Sequence, residues 1–236
     1  MTREKWALVT GASRGLGEAV ALQLLEQGYC VWGTASSQES IDKLTLKYKE
    51  KVFFSVVDFT QKNNIDDLLV LVKERKVKFE CIVNNAGIFK GGHFLEEEDD
   101  ELFEQVLTVN LLAQVRLTRG LLKNALLDDK QGAVIVNISS VAAKKVFDDC
   151  VSYGVSKAAL SAFSAALRHC LKQTKHKVVT IHPGAIYTDM WKQSEVDEDR
   201  LMKVTDVAQI ITDCVRRKDN SIVIEDMTLR PQLGDL

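Results

Sequence analysis

The sequence predicts a doubly wound α/β fold, in which one seven-stranded parallel sheet is flanked by helices on both faces. Short runs rich in β-branched and aromatic residues alternate with longer segments of helical periodicity. Most of the short runs are continuously apolar, which indicates strands buried on both faces, and the helix-length connections favour right-handed crossovers between parallel strands. The predicted strands are residues 6–9, 30–33, 52–57, 81–83, 133–138, 178–181 and 222–224.

Size and composition indicate one folded domain, residues 1–236. Hydrophobic residues make up 46% of the chain and charged residues 27%, which is typical of a globular protein. The only prolines are Pro183 and Pro231, and no repeat, low-complexity tract or linker offers a second domain a place to begin. One acidic stretch, residues 96–101, is interpreted as the solvated start of a helix over 102–108.

Charge and cysteine content exclude several classes of partner. The formal net charge of −2 gives no global basic field for nucleic acid or an anionic membrane. The five cysteines are odd in number, widely spaced, and form no metal-ligand pattern with the four histidines. The first apolar run is too short for a signal peptide or a membrane span. We therefore expect a cytoplasmic protein in a reducing compartment, without metal.

A glycine-rich segment follows the first predicted strand and reads Thr10-Gly11-Ala12-Ser13-Arg14-Gly15-Leu16-Gly17. Glycines let the backbone turn tightly and let a pyrophosphate approach, and the following helix N-terminus supplies hydrogen-bond donors. A strand-to-helix turn that binds nothing has a similar sequence, so this segment alone does not establish a dinucleotide site.

The spacing of these glycines, with four later motifs, resembles the short-chain dehydrogenase/reductase family. The later motifs are Asn84-Asn85-Ala86-Gly87, Asn110, the pair Ser139-Ser140 with Tyr153 and Lys157, and Pro183-Gly184. They stand in the family's order over nearly the whole chain, and the cofactor half is close to ketoacyl-carrier-protein reductases. The resemblance implies a single dinucleotide-binding domain with a Rossmann fold, which transfers hydride between a nicotinamide cofactor and a small carbonyl or alcohol substrate.

Tyr153 is the predicted general acid or base. A free phenol has a pKa of about 10 and needs a neighbouring cation to shuttle protons near neutrality, and Lys157, one helical turn later, can supply that charge. By resemblance, Ser140 hydrogen-bonds the substrate carbonyl, Lys157 also holds the cofactor ribose, and Asn110 supports a water-mediated proton path. Ser139 is the alternative to Ser140.

The cofactor is predicted to be NADP(H). The segment Thr34-Ala35-Ser36-Ser37, after the second strand, has no carboxylate to bind a ribose 2′-hydroxyl, and Arg14 can pair with a 2′-phosphate. The alternative is that Arg14 is solvated. The expected cofactor residues, partly by resemblance, are Gly11, Ser13, Arg14, Gly15, Leu16, Gly17, Ser36, Asp58, Asn85, Ala86, Gly87, Tyr153, Lys157, Pro183, Gly184, Ile186 and Thr188.

The substrate is not identified by the sequence. An apolar pocket wall is expected from Val146, Phe147, Cys150, Tyr187, Met190 and Trp191, and such walls discriminate weakly between ketones, aldehydes and acyl chains. The polar run 192–203 is either a mobile lid or an ordinary surface loop. Lys144 and Lys145 could attract an anionic substrate such as a carrier phosphopantetheine.

A homodimer or homotetramer is expected, because the predicted helix 111–127 is apolar on more than one face and the helix from residue 151 carries a stripe of small residues. Two alternative functions stay open. A redox sensor would bind the dinucleotide without turnover, since fold alone does not fix function. A nucleotide-sugar epimerase or dehydratase would generally carry a further substrate domain.

Overall fold

The computed structural model describes residues 4–45, 51–188, 196–217 and 221–235. Within these ranges the strands are β1 (Lys5–Val9), β2 (Tyr29–Ala35), β3 (Val52–Val56), β4 (Phe79–Asn84), β5 (Val134–Ile138), β6 (Lys177–Pro183) and β7 (Asp226–Leu229). The α-helices are α1 (Gly15–Glu26), α2 (Gln38–Thr45), α3 (Lys62–Glu74), α4 (Asp100–Leu107), α5 (Ala113–Lys123), α6 (Val151–Leu171) and α7 (Val204–Arg216). A π-helical turn, Thr108–Leu112, joins α4 to α5.

The strands form one parallel sheet in the order β3-β2-β1-β4-β5-β6-β7. The predicted fold class is therefore confirmed. From β1 the chain first adds strands toward one edge of the sheet and then, from β4, toward the other edge. In open α/β sheets, ligands bind at such a reversal, in the crevice outside the carboxyl ends of the strands. Of the helices in the described ranges, none has the length and apolar character needed to cross a membrane.

Both faces of the sheet are buried, which explains the continuous apolar strands. Successive residues of β1 serve opposite cores: Val9 packs with α1 and α7, whereas Leu8 packs with α3 and α5. Leu24 of α1 and Leu117 of α5 are each fully buried in one of these cores. Each strand end is thus held rigidly at the crevice.

The last strand was wrongly placed by the sequence. Residues 222–224 are unpaired, with Ile222 56% exposed, and the strand begins at Asp226, which pairs with Thr180 of β6. In this register Asp226 accepts a 2.7 Å hydrogen bond from the buried His182. An edge strand can expose polar side chains, so its sequence lacks the apolar signal of the interior strands.

The predicted helix 111–127 is also shorter than expected. It begins as the π-helical turn and ends at Lys123, because Ala125 adopts a left-handed φ of 52°. The carbonyl of Leu126 then accepts a 2.9 Å hydrogen bond from Phe79, so the two buried leucines 126 and 127 cover β4. The acidic stretch is more than a solvated helix start, since Asp99 accepts a hydrogen bond from the Leu102 amide and caps α4.

Candidate active site

The glycine-rich segment after β1 has a backbone that requires glycine. Gly11 and Gly15 have φ angles of 64° and 56°, in the left-handed region. At Gly17 a Cβ would lie 2.1 Å from the carbonyl oxygen of Gly11, so this glycine lets α1 start against the loop and does not line a cavity. The N-cap residue of α1, Arg14, makes no side-chain hydrogen bond to the amides of the first turn.

Thr10 holds the glycine loop against β4, a role that sequence reasoning missed. Its hydroxyl accepts hydrogen bonds of 2.9 Å from the amides of both Asn85 and Ala86. The side-chain amide of Asn85 in turn donates a 2.9 Å hydrogen bond to the carbonyl oxygen of Thr10. The threonine directly before the first glycine is the signal that could have identified it.

A cavity of about 610 Å³ lies at the carboxyl ends of the central strands, beside this loop. Asp58 is the single carboxylate among the described residues that line it, and Arg14 lies exposed at its edge. The predicted cofactor residues on its wall are Gly11, Ser13, Arg14, Gly15, Leu16, Ser36, Asp58, Asn85, Ala86, Gly87 and Thr188.

A second cavity, of about 800 Å³, adjoins the first. The two share Leu16, Asn85, Gly87, Ile88 and Thr188, so they form one continuous cleft. The second cavity contains the remaining predicted cofactor and catalytic residues apart from Gly17 and Asn110, namely Ser140, Tyr153, Lys157, Pro183, Gly184 and Ile186.

The apolar wall of the second cavity is only partly as predicted. Val146, Phe147 and Cys150 line it, but Tyr187 does not, because its hydroxyl donates a 2.5 Å hydrogen bond to Glu198. Met190 and Trp191 lie outside the described residues, as do residues 192–195 of the proposed lid. Phe89, which the sequence did not suggest, lines the cavity and packs edge-on against Tyr153 with ring centroids 5.0 Å apart.

Tyr153 and Lys157 lie one turn apart on α6, at the floor of the second cavity. Burial raises the pKa of Tyr153 to about 12, and a hydrogen bond with Ser140 partly offsets this rise. Burial also lowers the pKa of the Lys157 ammonium to about 8. Its Nζ lies 5.5 Å from the Tyr153 ring centroid. We expected Lys157 to lower the pKa of Tyr153; in the protein alone burial dominates, and the phenol keeps its proton near neutrality.

The two serines at the end of β5 have different surroundings. Ser140 hydrogen-bonds Tyr153 and also caps a short 3-10 turn by accepting from the amide of Ala142 at 3.1 Å. The Ser139 hydroxyl donates to the carbonyl oxygen of Lys157 at 3.0 Å and lies 2.9 Å from the Ser161 hydroxyl. Ser139 therefore fastens β5 to α6, and the geometry favours Ser140 for contact with substrate.

Asn110 lies in the π-helical turn and is fully buried behind the cleft. Its side chain accepts from the amide of Ile88 at 2.8 Å and donates to the Ile88 carbonyl at 2.9 Å and to the Ser156 hydroxyl at 3.0 Å. π-helical turns often mark functional sites. Here the turn lets one side chain hold the cavity wall against α6, and the part of Asn110 in a water-mediated proton path stays a prediction.

Three charged side chains of the acidic and basic stretches have partners within the chain. Glu98 accepts a 2.9 Å hydrogen bond from the Ser152 amide and so places a carboxylate at the N-terminus of α6. Lys144 donates to the Thr228 hydroxyl at 3.0 Å, and Lys145 lies 3.3 Å from an oxygen of Asp235. Neither lysine lines the second cavity, which weakens their predicted attraction for an anionic substrate.

Comparisons with known proteins agree with this geometry. A family model described as short chain dehydrogenase matches residues 5–199. A 3-oxoacyl-(acyl-carrier-protein) reductase of Haemophilus influenzae is 30% identical over 217 residues, 88% of each chain, and an uncharacterized oxidoreductase of Staphylococcus epidermidis is 27% identical over 97% of this chain and 98% of its own. A solved variant of actinorhodin polyketide ketoreductase with NADPH has a TM-score of 0.88 and 25% identity, covering 99% of this chain and 98% of the other.

Proposed function

We propose that this chain, which belongs to the short-chain dehydrogenase family, is an NADPH-dependent reductase that converts a carbonyl into an alcohol. Membership of the family makes it an oxidoreductase. The observation that carries the finer proposal is the convergence of Ser140, Tyr153 and Lys157 on one cavity that adjoins the glycine-loop cavity. Both binding sites then belong to a single domain, residues 1–236.

The residues of the cleft fit a dinucleotide. The glycine loop and the uncapped start of α1 would hold the phosphates, and Arg14 with Ser36 would hold a 2′-phosphate. Asp58 would bind the adenine edge, and Lys157 and Tyr153 the nicotinamide ribose. Bound NADPH supplies the hydride. The neighbouring structure that contains NADPH supports this choice of cofactor.

Three side chains would then take part in protonating the substrate oxygen. The hydroxyls of Ser140 and Tyr153 donate hydrogen bonds to the carbonyl oxygen, which stabilises the negative charge that develops there. Tyr153 transfers its proton to that oxygen, and its raised pKa ensures that the proton is present near neutral pH. The charge of Lys157 stabilises the phenolate that is left. Asn110 keeps Ile88 and α6 in register during the reaction.

The proposal is tested by following NADPH absorbance with ketones, quinones, aldehydes and acetoacetyl thioesters. We expect NADPH consumption with at least one class of carbonyl, and a much slower reaction with NADH. A protein that binds NADPH but consumes none of it with the whole panel would contradict the proposal and favour a dinucleotide sensor.

A further inference from the structure

The segment 230–235, which follows β7, reaches the wall of the second cavity. The amide of Gly184 donates a 2.8 Å hydrogen bond to the carbonyl oxygen of Leu229, and this bond joins the start of the segment to the end of β6. At the other end of the segment, the Asp235 carboxylate pairs with Arg230. The Asp235 side chain is only 9% exposed and lines the cavity. The segment is therefore held against the cavity at both of its ends.

Lys145 connects this segment to an aromatic part of the cavity wall. Its ammonium lies 3.3 Å from a carboxylate oxygen of Asp235 and 5.0 Å from the centroid of the Phe147 ring. A cation over the face of an aromatic ring at such a distance is attracted by it. Phe147 belongs to the lining of the cavity, whereas Lys145 does not. Asp235 therefore acts on the cavity through Lys145 and Phe147.

The second cavity is lined by aromatic rings beside the proton donor. Among the described residues, Phe89, Phe147 and Tyr153 contribute these rings. Phe89 packs edge-on against Tyr153, with ring centroids 5.0 Å apart. Aromatic rings pair favourably with one another, stacked with an offset or edge to face, beyond what the burial of their area contributes. A ring on the substrate would find such partners next to the group that protonates its carbonyl.

Charge gives this wall little means of selection. Lys145 and Arg230 offset the carboxylate of Asp235. The other carboxylates in the described lining, those of Asp148 and Asp149, are exposed, and water weakens their fields. The shape and the apolar contacts of a substrate are then what the cavity can distinguish.

We infer that this cavity selects aryl ketones, whose ring packs on Phe147 while the carbonyl meets Tyr153, and that Lys145 and Asp235 hold the Phe147 ring in place. The inference rests on the proposed reductase function, because it names the substrate class of the same site. Phe147 is the residue that determines specificity, and Lys145 and Asp235 are positioning residues.

The test compares acetophenone with cyclohexyl methyl ketone, which have the same carbon skeleton but a flat and a puckered ring. The two ketones differ in intrinsic reactivity, so the measured quantity is the change, from wild type to variant, in their ratio of kcat/KM. Phe147→Leu should lower the ratio of acetophenone to cyclohexyl methyl ketone by about twofold to tenfold, the usual contribution of an aromatic pair. The loss should appear as a raised KM for acetophenone with kcat nearly unchanged, because bound substrate and transition state share the contact.

The positioning residues are tested by a matched pair of lysine variants. Lys145→Met removes the ammonium and keeps the length of the side chain, so it should lower the same ratio, as should Asp235→Asn. Lys145→Arg keeps a cation between the carboxylate and the ring and should keep the wild-type ratio. Lys144→Met makes the same change at the neighbouring lysine, which bonds Thr228 instead, and should also keep it. Lys145 is half-exposed, so its ion pair contributes little to stability and Tm should barely move.

The outcomes separate the inference from the function. An unchanged ratio in Phe147→Leu overturns the aromatic subsite. An unchanged ratio in Lys145→Met, or an equal fall in Lys144→Met, overturns the positioning role. Reduction of other carbonyls but not of acetophenone by the wild type also overturns the inference, and each of these results leaves the reductase intact.

A wild type that reduces no carbonyl at all contradicts the proposed function, and the inference is then decided by binding. NMR titration of the NADPH-loaded protein with acetophenone gives its affinity without turnover. Binding that is weakened in Phe147→Leu and in Lys145→Met but not in Lys144→Met supports the aromatic subsite. Equal affinity in all four proteins, or no binding, overturns it.

Discussion

The ammonium group of Lys157 donates a 2.9 Å hydrogen bond to the carbonyl oxygen of Ile138, the last residue of β5. The contact joins the floor of the cavity to the strand that carries Ser140. Together with the bond between Ser139 and the Lys157 backbone, it fixes how α6 sits over the sheet. The relative position of Ser140 and Tyr153 therefore depends on the core and not on a flexible loop.

Tyr153→Phe should lose most of the turnover while most of the cofactor binding is retained, because the change removes only the phenolic hydroxyl and leaves the other cofactor contacts in place. Losing one general acid typically costs about 10²–10⁴ in rate. Steady-state NADPH oxidation measures the loss, and calorimetry with NADPH checks binding. Phe89→Leu, a control, removes the edge-on ring contact and should cost far less. Near-wild-type turnover of a folded Tyr153→Phe protein would show that the proton comes from another group.

Ser140→Ala and Ser139→Ala should have different effects. Removing the Ser140 hydroxyl takes away a donor to the carbonyl oxygen and should lower kcat by about 10²–10³, and the loss of its cap on the 3-10 turn should lower the free energy of unfolding by about 0.5–1 kcal/mol. Removing the Ser139 hydroxyl breaks its bond to the Lys157 backbone and should lower the free energy of unfolding by about 1–2 kcal/mol. Kinetics and urea unfolding of both variants test this. The assignment fails if Ser139→Ala is the inactive variant.

Arg14→Ala should weaken the use of NADPH much more than the use of NADH. Arg14 lies exposed at the edge of the first cavity, and a charge-assisted hydrogen bond to a phosphate contributes about 1.5–3 kcal/mol, which is roughly tenfold to a hundredfold in kcat/KM. The ratio of kcat/KM for the two cofactors is the measurement. Arg216→Ala, which removes a surface arginine from α7, is the control. An unchanged ratio in Arg14→Ala would mean that this arginine is solvated.

The rate of carbonyl reduction should fall as the pH rises through about 8, where the buried Lys157 loses its charge. Tyr153, with a pKa of about 12, keeps its proton over this whole range and should contribute no decline. We expect kcat/KM to drop by about tenfold per pH unit on the alkaline side. Circular dichroism at each pH excludes unfolding as the cause. A rate that stays level up to about pH 10 would contradict the role of the Lys157 charge.

Self-association is expected through the face formed by the π-helical turn and α6. Leu112 and Val155 on this face are 41% and 44% exposed, and the small Ala158 and Ala162 beside them permit close helix contact. Light scattering should show a dimer or tetramer, and Val155→Glu should reduce its mass. Val70→Glu, at a valine on α3 that is 55% exposed, should leave the mass unchanged. A monomeric wild type at micromolar concentration would rule out this face as an interface.

The sequence predicted the interior strands well, for a physical reason. Strands buried on both faces must be apolar throughout, and the residues at their carboxyl ends carry motifs that the chain folds into one cleft. Thus Ser140, which follows β5, lines one cavity with Tyr153 and Lys157, which belong to α6.

The features that sequence reasoning missed depend on contacts between distant residues. The first residue of β7, Asp226, hydrogen-bonds His182, and Asp235 pairs with Lys145, ninety residues earlier. Glu98 reaches the first turn of α6 across 54 positions. Local periodicity contains no information about such pairs.

The π-helical turn between α4 and α5 makes this part of the chain sensitive to the loss of a residue. A π-helical turn accommodates one residue more than an α-helical turn, so deleting one residue from Thr108–Leu112 would restore a continuous α-helix with α4 and α5 in nearly the same phase. Val106 and Leu117, which are both fully buried, would still face the core, whereas Asn110 would lose its position beside Ile88. A single-residue deletion should therefore be less damaging in a surface loop than in this turn.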